Sequence, residues 1–431
     1  MIKKTFEKVD EELFIEKLDN GITVYMYPTK KTKNFYLSIS VKYGACVEKY
    51  KVLNKVYDVI PGSAHFLEHK VMALSENIEV SKKINELGSL ANAWTSYRGT
   101  NYNIFGSINI KENLKILLDL FYHPDITDES VEKEKGIIGE EIDMYKDNID
   151  RLMYDHLYNN LFNDSFMKHT VVGERSDIEK ITKDSLMTIY NNFYIPKNTF
   201  IIVTGDFDTN EILEEIKEYI SHLELPNKEI PKIIKKKDDK KVSIPYEEIT
   251  KNAENVRVKI GTKIPRSNFN IEDNTLLRLY LNIILSNNFS ATSELFEKYK
   301  NENIVISMSG GINIIDDYVV LCCSAFTNDG NLFIERIKKD VNKLKLTKGD
   351  FERKKKLYLK GYICDFDNIE DIEYIICESI IMDEGLDYNE YSKINDMTFE
   401  KANEVLKSLK FDNISIVKTI SLPLLPESTN S

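Results

Sequence analysis

Apolar and polar residues alternate over residues 34–44, NFYLSISVKYG. Phe35, Leu37, Ile39, Val41 and Tyr43 share one face and Ser38, Ser40 and Lys42 the other, the period-two pattern of a half-buried antiparallel strand. The preceding GITVYMYP predicts a second strand. From Pro61 to Ala73, PGSAHFLEHKVMA, the pattern changes. Pro61 and Gly62 punctuate the chain, Ser63 is a candidate N-cap, and Phe66, Leu67, Val71 and Met72 follow with no breaker, so a helix is expected. A second helix is expected over 76–87, ending at Gly88. Asn92-Ala93-Trp94-Thr95 is then β-like, and Tyr102, Ile104, Ile108 and Ile110 alternate as a strand. Leu114, Leu117, Leu118 and Phe121 form the stripe of a helix over 111–123, with His123 read as its terminal cap residue ahead of Pro124. Further helices are predicted over about 129–148, 183–193 and 209–223, the last two flanking a buried strand, NTFIIVTGDF, that ends at Gly205.

Residues 226–245, PNKEIPKIIKKKDDKKVSIP, are lysine-rich with three prolines and read as a charged, extended, solvated connector. Beyond it the same order of elements returns. VRVKIGTKIP predicts a strand, LLRLYLNIILSNN an apolar helix, VVLCCSAF a strand, and residues 331–345 a helix. Strand, helix, strand, helix in both halves implies an internal duplication. The expected architecture is α+β: two similar domains, each a mainly antiparallel sheet packed with helices, spanning residues 1–225 and 246–431 with 226–245 between them.

A chain of 431 residues, 42% apolar and 30% charged, is long enough for two or three cored domains. No run approaches the roughly 20 apolar residues of a membrane span, and the start, MIKKTFEKVDEELF, shows no secretory h-region. Five scattered cysteines without a C-x-x-C pair argue against a disulfide framework, and a reducing cytoplasm fits best. A net charge of −12 argues against nucleic acid as a main partner. All six histidines lie at or before His222, so a histidine-based metal site has to be built by the first half.

In the 61–73 helix, His65 and His69 are four residues apart and Glu68 is three from His65, so all three lie on one side. Two imidazoles at that spacing can hold one zinc ion, and a carboxylate beside it can take a proton from water. This is the H-x-x-E-H order. By itself the pattern is equally satisfied by two histidines and a glutamate on a solvated face, so a third ligand is needed. The helix near 129–148, ESVEKEKGIIGEEIDMYKDN, offers one. Glu141 has Ile137, Ile138, Met144 and Tyr145 around it, whereas Glu140 has a more mixed setting. A carboxylate centred on an apolar stripe needs a partner, either a metal ion or a buried Arg or Lys. Glu134 lies two turns before Glu141 on the same face and can orient a ligand. His156 and His169 read as structural or surface residues.

Three motifs in order, His65-Phe-Leu-Glu68-His69, ANAWTS and EKEKGIIGEEI, resemble the pitrilysin/insulinase family of zinc metallopeptidases, its short processing-peptidase-like branch and within that the bacterial zinc proteases of low-GC Gram-positives. The resemblance covers nearly the whole chain. It implies zinc (one ion per chain) on His65, His69 and Glu141, Glu68 as general base, and Glu134 as a supporting group in catalysis. It further implies an edge strand at Asn92, Ala93 and Trp94 that receives an extended peptide by strand addition. The implied reaction is peptide-bond hydrolysis. Family members also carry an arginine and a tyrosine, seven residues apart, that grip the substrate opposite the zinc. The matching stretch SELFEKYKNENIVISM puts Lys300 and Ser307 there, and serine cannot replace a phenol. Since the family's working enzyme is a four-domain clamshell and this chain supplies two domains, a related second subunit bringing that pair is expected. The alternative is a catalytically silent, peptide-binding subunit.

Overall fold

A computed structural model describes residues 1–73, 78–251, 255–382 and 385–420. The chain forms two compact units: Met1–Met144, His169–Lys235 and Lys360–Tyr391 make the first, and Tyr145–Lys168, Lys236–Leu359 and the residues from Ser392 make the second. The first unit is built on a sheet of β1 (Ile2–Thr5), β2 (Glu12–Lys17), β3 (Thr23–Pro28), β4 (Phe35–Val41), β7 (Leu90–Thr95), β8 (Thr100–Gly106) and β9 (Thr199–Gly205). Their spatial order is β1-β2-β3-β9-β4-β8-β7. Only β3 and β9 run parallel. A small second sheet joins the hairpin β5 (Lys49–Val52) and β6 (Lys55–Asp58) to β10 (Lys232–Ile233). The first unit's helices are α1 (Ser63–Met72), α2 (Ile78–Glu86), α3 (Ile110–Tyr122), α4 (Asp128–Asp147), α6 (Arg175–Ile178), α7 (Lys183–Phe193), α8 (Thr209–Ser221) and α13 (Ile369–Ile381).

Among the described residues the second unit has one sheet, β11 (Tyr246–Thr250), β12 (Val256–Pro265), β13 (Val305–Ile315), β14 (Tyr318–Thr327) and β15 (Ile414–Ile420), ordered β11-β15-β12-β14-β13. Its helices include α5 (Ile149–Leu161), α9 (Asn274–Phe289), α10 (Glu294–Asn301), α11 (Gly330–Asp340) and α15 (Phe399–Ser408), while α12 (Lys348–Asp365) and α14 (Glu390–Asn395) lead the chain between units. The duplication inferred from element order is therefore a duplication of topology. Strands β3-β9-β4-β8-β7 repeat as β11-β15-β12-β14-β13, each set with one parallel pair, β3 with β9 and β11 with β15.

Each half of the sequence also lends a helix to the other half's sheet. Helix α5 packs on β12 and β15, and α13 packs on β4 and β9. Gly261 on β12 makes room for α5: a Cβ there would sit 2.8 Å from a Leu161 methyl carbon. The compact units thus differ from the continuous spans 1–225 and 246–431, although the turnover at Lys235/Lys236 falls inside the 226–245 connector.

Three local expectations change. Strand β4 is not half-solvated: Ser38 and Ser40 are fully buried, because α13 covers the face that alternation assigned to water. There the Glu373 carboxylate accepts hydrogen bonds from Ser38 Oγ (2.5 Å) and Asn101 Nδ2 (2.9 Å). The connector is not a free tether. Its Asp238 is paired with the buried Lys263 ammonium and accepts the backbone N–H groups of Asn163 (2.8 Å) and Asp164 (2.6 Å). Finally, β8 stops at Gly106, leaving Ile108 exposed and Ile110 to start α3. Residues 76 and 77 of the expected second helix lie outside the described residues.

Candidate metal centre

Helix α1 lies against β7, β8 and α3, and nine of its ten residues, all but His69, are buried. Its start differs from the expected serine cap. Gly62 occupies the cap position with φ of 86° and no side-chain cap bond, and Ser63 is the first helical residue, its Oγ donating to the Ile60 carbonyl (2.7 Å). A Cβ on Gly62 would lie 2.6 Å from the Val172 carbonyl oxygen, so both its left-handed backbone and its packing call for glycine.

The structure brings His65 and His69 of α1 to Glu141 of α4, about 70 residues downstream. One donor atom from each lies within 4.8 Å of the others. His65 Nε2 is 3.5 Å from Glu141 Oε1, and His69 Nε2 is 3.4 Å from Glu141 Oε2. These separations are long for hydrogen bonds. The two rings meet different oxygens of the one carboxylate, and a donor atom from each residue lies close enough to the others for all three to reach one ion. Two imidazoles and one carboxylate are also a donor set that zinc takes.

Glu134 contacts the site from behind. Its Oε1 accepts a hydrogen bond from His69 Nδ1 (2.9 Å), which orients the ring and turns Nε2 toward Glu141. Burial acts to depress the His69 pKa, but the Glu134 hydrogen bond and the nearby carboxylates of Glu141 and Glu68 outweigh it and lift the group to about 10. The Lys70 ammonium, fully buried, lies 3.9 Å from Glu134 Oε2. Sequence reading passed over Lys70, since nothing in the pattern announces a buried cation next to His69.

Glu141 does not sit at the centre of a buried apolar stripe, as its sequence neighbours led one to expect. Ile137 and Met144 beside it are exposed, Glu141 is half-buried, and the covered stripe of α4 runs through Val131, Glu134, Ile138 and Ile142. Glu134 is the carboxylate that is buried, at 2% exposure. Glu140 points to solvent, as expected.

Glu68 is 8% exposed, and its Oε2 accepts a hydrogen bond from Thr95 Oγ1 (2.5 Å). Burial pushes its pKa up; His65, His69 and the Thr95 bond oppose this, and the net direction is upward. Thr95 entered the sequence reading only as a strand residue.

Asn92, Ala93 and Trp94 lie on β7, the terminal strand of the seven-stranded sheet. Asn92 Oδ1 accepts the N–H of Ala93 (2.9 Å), and the Trp94 ring stands 6.4 Å from that of Tyr374. Lys300 is an exposed residue of α10 in the second unit, its ammonium 6.0 Å from the Phe296 ring, and Ser307 lies at an irregularity of β13. His123 caps α3, His156 bonds Glu247 (3.0 Å), and His169 lies 3.4 Å from Glu48, all apart from the cluster.

A sheet-and-helix unit of this topology with H-x-x-E-H on its first helix has the fold of M16-like peptidases. The crystal structure of such a peptidase from Alicyclobacillus acidocaldarius superposes with a TM-score of 0.88 at 23% identity, covering 96% of this chain and 99% of that one. Residues 28–175 match the family model "Insulinase (Peptidase family M16)" and residues 180–358 match "Peptidase M16 inactive domain". The uncharacterized zinc protease YmfH of Bacillus subtilis is 32% identical over 301 residues, 68% of each chain. The mitochondrial-processing peptidase subunit beta of Saccharomyces cerevisiae is 26% identical over 219 residues, 50% of this chain and 45% of its own length. The chain belongs to the M16, or insulinase, family of peptidases. Among its described residues no helix is long and apolar enough to cross a membrane.

Proposed function

We propose that the chain is a zinc-dependent endopeptidase that cleaves short or unfolded peptides, with His65, His69 and Glu141 as metal ligands and Glu68 as general base. The observation that carries this reading is the convergence of those three residues, with a donor atom of each within 4.8 Å of the others, beside a buried glutamate. Zinc held there supplies Lewis-acid polarisation of the scissile carbonyl and makes water acidic enough to give up a proton near neutral pH. Glu68 accepts that proton as the water oxygen bonds to the carbonyl carbon, then delivers it to the departing nitrogen as the C–N bond breaks. Glu134 holds His69 in its ligating orientation. The substrate main chain pairs with the outer edge of β7 at Asn92, Ala93 and Trp94, which aligns a peptide with little demand on its side chains.

The chain acts as the metal-bearing subunit of a heterodimer, in the cytoplasm. The relative named as a processing-peptidase subunit supports a paired assembly, and Ser307 leaves this chain without the phenol that the family's clamp requires, so a related partner provides it. Lys300 retains only the charge of that clamp. Ser307 also favours a second reading, a silent subunit that binds peptides without cleaving them.

The test is zinc analysis combined with cleavage of an internally quenched, unstructured peptide, with and without a related subunit from the native host. One zinc per chain, lost in His69→Ala, and turnover reduced by about 10²–10⁴-fold or more in Glu68→Gln with zinc retained, is the expected result. A Glu68→Gln variant cleaving at the wild-type rate removes the base. Zinc binding without turnover in either assembly favours the silent subunit.

A further inference from the structure

The side chain that holds Glu68 comes from the strand proposed to receive the substrate. Thr95 is the last residue of β7 and is half-buried. Across the hairpin it faces Thr100 of β8, whose Oγ1 is 3.4 Å away and fully buried. The Thr100 hydroxyl donates to the Tyr43 carbonyl (2.9 Å), so it has only lone pairs to offer Thr95. The single Thr95 proton has two acceptors in reach, and the carboxylate at 2.5 Å, the charged one, takes it. Glu68 Oε2 is thereby held, while Oε1 makes no hydrogen bond to a described residue. A β-branched side chain on a paired strand has few rotamers, so the hydroxyl is aimed by the backbone itself.

We propose that Thr95 is a positioning residue for hydrolysis: its hydroxyl fixes the orientation of the Glu68 carboxylate and ties it to the peptide-receiving strand β7. The proposal rests on the peptidase reading above. Thr95 acts on the base and makes no ligand contact with the metal, and its hydroxyl is already committed to Glu68. Its loss therefore slows the proton transfer without weakening substrate or zinc binding.

The zinc-loaded chain, in whatever assembly the native host provides, is assayed with the quenched unstructured peptide as wild type, Thr95→Val and Thr95→Ser. Valine keeps the branched shape and the strand preference but has no donor; serine keeps the donor. The expected result is a kcat lowered by about 10–100-fold in Thr95→Val, the scale for losing an orienting partner. KM, zinc content and melting temperature stay within about twofold or a degree or two of wild type, and Thr95→Ser recovers most of the rate. Unchanged kcat in Thr95→Val, or a loss carried by KM or zinc content, overturns the proposal while leaving the peptidase reading in place. A wild type that cleaves nothing in any assembly defeats both.

Discussion

Glu373→Gln removes a carboxylate from under the sheet that supports the candidate metal helix. Glu373 is 2% exposed, and burial, with Glu370 and Glu378 nearby, pushes its pKa from 4.5 to about 7 against the opposing bonds from Ser38 and Asn101. Below 4.5 both folded and unfolded chains hold the proton, and the group costs nothing. Between 4.5 and about 7 the unfolded chain releases its proton first, so the folded chain binds more protons and stability falls as pH rises. Above about 7 both are ionised and the full penalty persists. At 1.36 kcal/mol per pH unit that penalty is about 3 kcal/mol. Glutamine mimics the neutral acid and keeps an oxygen for Ser38 and Asn101 to bond. The variant is therefore expected to match wild type below pH 4.5 and to exceed its stability by about 3 kcal/mol above pH 7. Urea denaturation across that range, with chelator present in both samples to keep zinc out of the comparison, reads the difference directly. A difference that does not change with pH would refute the buried-carboxylate argument.

Two further outcomes are expected. Glu134→Gln weakens zinc affinity by about 10–100-fold, because His69 loses its charged partner at 2.9 Å; chelator competition measures this, and an unaltered dissociation constant contradicts the supporting role. Asp238→Ala leaves the buried Lys263 ammonium without its carboxylate and lowers stability by about 3–5 kcal/mol. The apolar pair Asp238→Leu with Lys263→Met recovers in denaturant melts only the part due to the stranded ammonium, since the Asn163 and Asp164 N–H groups still lose their acceptor.

The candidate site was legible in the sequence because its parts are local. Two histidines four apart and a glutamate between them face one way on any helix, and the edge strand ANAWT and helix α4 carry their own periodicities. The roles of Glu134 and Glu141 were harder to separate. Apolar neighbours in the sequence put Glu141 at the centre of a buried stripe, yet Ile137 and Met144 are exposed, because which side of α4 is covered depends on α1 and its surroundings and not on α4. The Ser63 cap failed for a similar reason: the approach of Val172 puts a left-handed glycine where capping statistics place a serine.

The strands and helices that build the candidate site, the duplicated order of elements, and the confinement of every histidine to the first half follow from the amino-acid sequence alone, since each depends on residue identity within one or two turns. Tertiary structure decided what lies against what. It set the 3.4–3.5 Å donor spacings between α1 and α4, the Lys70–Glu134–His69 contacts and the Thr95 bond to Glu68. It also decided the exchange by which α5 and α13 cover each other's sheets and turn the polar face of β4 into core. Each of these joins residues tens to hundreds of positions apart, beyond the reach of any local hydrophobic period.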